Sequence, residues 1–341
     1  MMNGTTRSLA TVVALALVFS ACDDKVTDFL YEGEVIQAVD MHLHVGEWSQ
    51  IPPPAQEELA NNFPFPFNLD PGGLAEDQLT TEGIVAELDK ANLRRGVVLA
   101  VYAPHSVGIA TNEQAIKQVS EAPDRLYGLA SLRVDRWETD AAAELALLED
   151  ALSKPGMIGV KMAHVHMHIR MDDPRYYSIY EVAGRMGKPL YLHTGNSPFV
   201  GTLESAPYAD PAYLEEAIRT HPEATFILGH MGFDFINRTL GDLETCLTLA
   251  KRYPNVFLEP SALGSNRSDP EGEKMRHVMN RVKEMGLIDR VIYGSDGPQF
   301  PGFLQSYAGK ARDAMVAANY TTAEADLVMG GNFERVFGVK R

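Results

Sequence analysis

His42-Leu43-His44 closes a run of apolar residues. On an extended strand with a period of two, its imidazoles project to one side, where they can grip one ion. Four further segments end in the same manner: Gly159-Val160-Lys161, Leu192-His193-Thr194-Gly195, Leu228-Gly229-His230-Met231-Gly232 and Tyr293-Gly294-Ser295-Asp296. Each is a β-branched or aliphatic run that breaks into glycine or polar residues just after the His, Lys or Asp. A lone histidine at a strand end is more often a hydrogen-bonded rim residue than a ligand. Five such ends in succession describe instead a metal site built at the ends of several buried parallel strands. A catalytic divalent ion takes three or four nitrogen or oxygen ligands, keeps one position for water and lowers that water's pKa to about 7. His42, His44, His193 and Asp296 supply the set. His230 then stands beside the water or the substrate carbonyl as acid, base or electrostatic partner. Asp296 can take the proton of the attacking water, and Asp40, on the strand face of His42 and His44, reads as a hydrogen-bond partner behind the ligands.

Positioning these groups requires strands that alternate with helices. Continuous apolar runs, as expected of strands covered on both faces, occur at residues 35–41, 96–101, 126–132, 158–162, 189–193, 225–230, 256–260 and 290–293. Amphipathic stretches with start signals such as Asp173-Pro174 and Asp210-Pro211 lie between them. Eight such repeats in this length predict a single-domain α/β protein, a (β/α)8 TIM barrel over residues 35–341. The site then sits at the C-terminal ends of the strands. The Gly-x-Gly-x-x-Gly fingerprint of a doubly wound sheet, the Walker motif, His-Glu-x-x-His and Gly-x-Ser-x-Gly are all absent from the sequence.

Three features beside the strand ends concern substrate. The long connection from Val45 to Thr80, with Trp48, Phe63, Phe65 and Phe67 among many prolines, leaves the catalytic end of the barrel and reads as an apolar wall over the site. Beyond Lys161, the residues His164, His166, His168 and Arg170 alternate. In an extended segment they would share a face and could bind an acidic substrate group, although Lys161 has the opposite parity and a bulge would have to intervene. Arg267, after the seventh strand, is a further candidate carboxylate clamp.

The chain has 341 residues, with 30 Lys+Arg against 46 Asp+Glu and a formal charge of −16, spread without acidic or basic blocks. Nucleic acid and anionic membrane surfaces are therefore not expected partners; a small molecule is. A homo-oligomer is compatible with the sequence. Residues 1–21 read as a signal peptide, with Arg7 in the n-region, an apolar h-region from Leu9 to Phe19 and small residues before Cys22. Ser20-Ala21-Cys22 is similar to a bacterial lipoprotein lipobox, although Phe19 stands where Leu is usual. The expectation is an exported protein of the bacterial cell envelope, lipid-anchored through Cys22, with residues 22–34 as a tether. Only Cys246 remains as a second cysteine, read as a small core residue on a helix face.

Taken together, Asp-Met-His-Leu-His, Gly-Val-Lys-Met, Leu-His-Thr-Gly, Gly-His-Met-Gly, Tyr-Gly-Ser-Asp-Gly-Pro and the terminal Gly331-Asn332-Phe333-Glu334-Arg335 resemble the amidohydrolase superfamily. Within it, the chain is similar to the amidohydrolase-related enzymes akin to aminocarboxymuconate-semialdehyde decarboxylase. The resemblance covers about Val35 to Val339. It implies a distorted barrel with one divalent metal, usually zinc, on residues matching His42, His44, His193 and Asp296, and a catalytic role for His230. In two-metal relatives the lysine matching Lys161 is carboxylated and bridges a second ion; in the relatives most like this chain it commonly stays free to orient a substrate oxyanion. The expected activity is metal-dependent hydrolysis of an ester, lactone, amide or related bond. The alternatives are non-oxidative decarboxylation of an aromatic or unsaturated acid, or ligand binding without catalysis.

Overall fold

The computed structural model describes Met1, residues 28–263 and residues 267–341. Arg7, the apolar run after it and Cys22 lie outside these described residues. Seven parallel strands form one curled sheet: β1 (Val39–His44), β2 (Arg95–Leu99), β3 (Leu126–Ala130), β4 (Met157–Ala163), β5 (Leu190–His193), β6 (Phe226–Gly229) and β7 (Val256–Glu259), paired in that order. Most of their residues are apolar, as expected of strands covered by helices; all seven residues of β4, Lys161 included, are buried.

The predicted eighth strand, Arg290 to Tyr293, is not regular. Ile288–Arg290 is a 3-10 turn, and the segment after it makes only isolated bridges, Val291 to Leu258 and Gly297 to Leu43. Those bridges still close the ring. Ile292 N–H donates to Leu258 O on β7, while Met41 N–H donates to Tyr293 O and His44 N–H to Gly297 O on the β1 side. The architecture is the expected α/β TIM barrel, with its last stave irregular where Asp296 must leave the ladder.

Side chains alternate between two cores, as a strand period of two requires. Val97, Leu99, Leu129, Ile227 and Phe257 fill the barrel with Phe333 and Phe337 from the C-terminal helix, whereas Val98, Val160, Leu192 and Leu228 pack outward on the helices. β1 departs from strict alternation. Its register against β2 shifts between Asp40 and Leu43, so Val39 and Met41 join the barrel interior while His42 and His44 line the cavity above it.

Helices start where the sequence signals them: the Asp173 carboxylate accepts from Arg175 N–H at 3.0 Å and Asp210 from Ala212 N–H at 2.8 Å. Cys246 is buried on the helix Leu243–Arg252, and burial pushes its thiol pKa up. No helix among the described residues is long and apolar enough to cross a membrane.

Residues 28–34, within the stretch read as tether, already belong to the folded barrel domain. Phe29–Tyr31 pairs antiparallel with Glu34–Ile36, Phe29 and Tyr31 are buried, and the Tyr31 hydroxyl donates to Tyr320 O at 2.8 Å. The long connection after β1 carries two helices, α1 (Pro53–Asn62) and α2 (Pro71–Gln78), each opened by proline in its first turn. Phe67 stacks on Phe300 with centroids 5.6 Å apart and Phe63 meets the same ring edge-on, so this connection is fixed to the chain following Asp296. Phe65 points to solvent.

Candidate metal centre and active site

The C-terminal strand ends converge on a cavity of about 650 Å³. His42, His44, Lys161, His193, His230 and Asp296 line it, so all six residues predicted at the strand ends reach one place. Ligand atoms of His42, His230 and Asp296 lie within 4.8 Å of one another. Asp296 Oδ1 is 2.9 Å from His44 Nε2 and 3.2 Å from His42 Nε2. His193 packs beyond His230, their ring centroids 4.5 Å apart.

The residues fit a divalent metal. His42 Nε2 and His193 Nε2 are buried without a hydrogen-bond partner, a costly state for polar atoms unless something binds them. His42 Nε2 approaches Asp296 Oδ1 without the alignment of a hydrogen bond, as two donors to a common cation do. Backbone strain gathers at the same place. His230 and Asp296 are both left-handed, at φ 61° and 71°, a conformation that costs a non-glycine residue about 1–3 kcal/mol and persists where the surroundings enforce it.

Electrostatics follow from burial. Burial, and then Lys161, hold His42 well below the usual imidazole pKa; burial, and then His230, do the same for His193. Burial also lowers His230, against the pull of Asp296 and Glu259. All three are therefore neutral at pH 7 and can donate lone pairs. Burial raises the Asp296 carboxyl, but the His42, His44 and His230 imidazoles outweigh it and hold the group below the usual carboxylate range. Since His42 and His230 are themselves neutral, the hydrogen bond from His44 is what remains of that effect. Lys161 is brought down to about 8 by burial, opposed by Asp296 and Glu259. Its Nζ sits 4.1 Å over the Tyr191 ring.

Asp40 contacts no imidazole. Its Oδ1 accepts from the backbone N–H of His42 at 3.1 Å and of Ser295 at 3.0 Å, tying β1 to the eighth segment. Burial raises this carboxyl to about 7.

The alternating histidines after Lys161 are not extended. α3 (His164–Met167) begins directly at the end of β4, and it is a helix rather than a bulge that resolves the parity conflict. Only His166 enters the cavity, its ring 5.0 Å from His193 and its Nδ1 3.1 Å from Ser106 Oγ. His164 is buried behind it, 3.4 Å from the Tyr180 hydroxyl, and His168 donates to Gly201 O at the surface. Arg170 is exposed and paired with Asp172, so neither His164 nor Arg170 lines the cavity as a substrate contact.

Trp48 does line the cavity, stacked over Gly72 of α2, where a Cβ would lie 3.2 Å from its ring. Arg267 stands at the rim, 3.4 Å from Glu58 of α1, its charge answered by a partner. Phe63, Phe199, Phe235 and Phe300 complete apolar walls. The long connection thus covers the site, as expected, but as two short helices.

Three residues behind His42 and His230 were not anticipated: Tyr191, Glu259 and Ser261. Glu259, fully buried at the end of β7, accepts from the Tyr191 hydroxyl at 2.9 Å and from Ser261 Oγ at 2.8 Å. The signal in the sequence was an acid closing an apolar run, Val256-Phe257-Leu258-Glu259.

Comparison with known proteins agrees with this fold. A family profile described as amidohydrolase matches residues 39–339. The fluG protein of Emericella nidulans is 30% identical over 129 residues, a match spanning 38% of this chain and only 13% of that protein's length. Among solved structures, an uncharacterised TIM-barrel protein from Bordetella bronchiseptica superposes with a TM-score of 0.65 at 18% identity, covering 88% of this chain and 98% of that one. A dihydroxybenzoic acid decarboxylase from a Polaromonas species, with bound manganese and an inhibitor, gives 0.61 at 17%, over 90% and 98%. A probable 2-pyrone-4,6-dicarboxylic acid hydrolase from Acinetobacter baumannii gives 0.58 at 19%, over 89% and 100%. At these identities the structural likeness is one of fold, while the profile spans nearly all of the barrel. The chain belongs to the amidohydrolase family.

Proposed function

We propose that the protein is a metal-dependent hydrolase that opens an ester, lactone, amide or related bond of a small molecule. The observation that carries this reading is the convergence of His42, His230 and Asp296 within 4.8 Å on the floor of a cavity with apolar walls. His42, His44, His193 and Asp296 would hold one divalent ion, zinc by preference for this nitrogen-rich set. Bound there, the ion supplies Lewis acidity toward a carbonyl oxygen and acidifies water.

The chain's own residues do the rest. His230, neutral and buried, receives a proton at Nε2 and returns it to the leaving group. Asp296, held ionised, is a second acceptor. Lys161 keeps its ammonium, because the Tyr191 ring face and the carboxylates of Asp296 and Glu259 all favour a cation, and a carboxylated lysine would face both carboxylates as a like charge. That ammonium is placed to bind a substrate oxyanion. Trp48, Phe63 and Phe300 cover the substrate body and keep bulk water away.

The second reading is decarboxylation of an aromatic or unsaturated acid. What favours it is Lys161 itself, a buried ammonium brought to about 8 and so a proton donor suited to carbon. The Polaromonas relative is described as a decarboxylase and the Acinetobacter one as a hydrolase, and the two share this fold. We further propose an envelope location with a lipid on Cys22, supported by the order of Arg7, apolar run and small residues in the sequence.

The test is elemental analysis of the purified protein followed by turnover assays on small esters, lactones, amides and aromatic acids. Chelator-sensitive release of acid from an ester, lactone or amide supports the hydrolase. Release of carbon dioxide from an aromatic acid, with every ester, lactone and amide inert, overturns it in favour of the second reading.

A further inference from the structure

We propose that Glu259 is a positioning residue that fixes the tautomers of His42 and His230, so that both present an unprotonated Nε2 to the metal centre. It rests on the metal-dependent reading above and holds for either reaction.

The hydroxyl protons of this network have few places to go. Tyr191 and Ser261 each own one hydroxyl hydrogen. Tyr191 OH lies 2.9 Å and Ser261 Oγ 2.8 Å from Glu259 Oε2, which also accepts from the backbone N–H of His230 at 3.3 Å. With Glu259 ionised, Oε2 can only accept, so both hydroxyl hydrogens are committed to it. The hydroxyl oxygens can then only accept from whatever else they touch. What they touch is imidazole Nδ1: His42 Nδ1 is 2.8 Å from Tyr191 OH and 3.1 Å from Ser261 Oγ, and His230 Nδ1 is 2.8 Å from Ser261 Oγ. Both imidazoles must therefore carry their proton on Nδ1.

Two further observations agree with that assignment. His230 Nδ1 also lies 3.4 Å from Ser261 O, a carbonyl that can only accept. His42 Nε2, bare by this assignment, has no hydrogen-bond partner although Asp296 Oδ1 is 3.2 Å away. A lone pair facing a carboxylate oxygen is repulsive unless a cation lies between them, so the tautomer and the metal explain each other.

The glycines of two sequence motifs make room for this network. A Cβ on Gly294 would fall 2.1 Å from Glu259 Oε1, and a Cβ on Gly229 would strike the Tyr191 hydroxyl.

Histidine-selective ¹⁵N NMR of the full chain, chelator-treated to remove metal, reads the tautomers directly, with His42→Gln and His230→Gln spectra assigning the signals. The expected result is Nδ1–H for both residues; Nε2–H at either one overturns the proposal. In parallel, zinc is titrated into the same metal-free protein against a chromophoric chelator. Glu259→Leu should weaken zinc binding about 10- to 100-fold, the usual effect of removing a partner behind a ligand, and Ser261→Ala is the milder variant should Glu259→Leu fail to fold. Glu259→Gln, whose carbonyl oxygen can take both hydroxyl hydrogens, should restore binding to within a few-fold of wild type. Equal affinity in wild type, Glu259→Leu and Ser261→Ala overturns the proposal. A wild type that binds no zinc instead overturns the proposed function, while the tautomers of its metal-free form remain measurable.

Discussion

Tyr191 and Gly229 face each other across neighbouring strands so closely that a Cβ on residue 229 would lie 2.0 Å from the Tyr191 hydroxyl oxygen. The glycine before His230 is thus a steric requirement of the tyrosine behind His42. Gly229→Ala should destabilise the protein by about 1–3 kcal/mol, as overpacking of a core does, and should slow turnover by displacing the Tyr191 contact with His42. Urea unfolding and steady-state assays check this; unchanged stability and rate would show that Tyr191 can retreat freely.

Holding the metal and handling protons should separate by residue. His42→Ala and His44→Ala should each lose the ion and turnover together. His230→Asn should keep metal near wild-type content while slowing turnover about 10²- to 10⁴-fold, the range of a positioned acid or base. Elemental analysis of the three variants decides it. Since His230 lies in the same 4.8 Å cluster as His42 and Asp296, loss of metal in His230→Asn as complete as in His42→Ala would make it a ligand.

One ion per chain is expected, with Lys161 uncarboxylated. Metal-to-protein ratios measured after growth with and without added bicarbonate check the point. A ratio of two, together with activity that rises with bicarbonate, would assign the lysine to a bridge between ions.

Acid should weaken the fold partly through His164. Burial alone brings its pKa from 6.5 to about 3. The folded value is below the unfolded one, so the unfolded chain binds more protons between those limits and stability falls as pH drops through 6.5. Between pH 7 and pH 5 the loss from this one group is about 2 kcal/mol. His164→Leu should shrink the difference in unfolding free energy between those two pH values by that amount. Because His164 does not line the cavity, turnover at pH 7 should stay close to wild type.

Membrane association should depend on Cys22. Fractionation of cells carrying Cys22→Ser, beside mass spectrometry of the wild-type N-terminus, tests it. An unmodified N-terminus with fractionation unchanged by the substitution would remove the lipid from the proposal.

The strand ends were legible because a buried strand tolerates no polar residue without a reason, so each His, Lys or Asp at the close of an apolar run stood out. Their common destination followed from barrel topology. What failed was local geometry: His164, His166 and His168 alternate perfectly as residue types, yet the backbone turns helical at His164 and only His166 reaches the cavity. The eighth strand was legible as an apolar run, although its irregular path, which frees Asp296 at a left-handed φ, is set by pairing with β1 that no local pattern encodes. Glu259 went unnoticed for the opposite reason. Its partners come from β5 and from beyond its own strand, so nothing near it in the chain marks it as more than an acid at a strand end.

The hairpin formed by residues 29–36 joins β1 at its first residue, so the described chain enters the barrel from the end opposite the cavity, and no residue of the hairpin lines that cavity. Whatever is joined ahead of residue 28 pulls on the underside of the molecule, at a seam fastened by Phe29, Tyr31 and the Tyr31 bond to Tyr320. A leash, an affinity handle or a fused partner would therefore be attached away from the mouth, and a solid support reached through this end should capture the protein without obstructing the passage of small molecules.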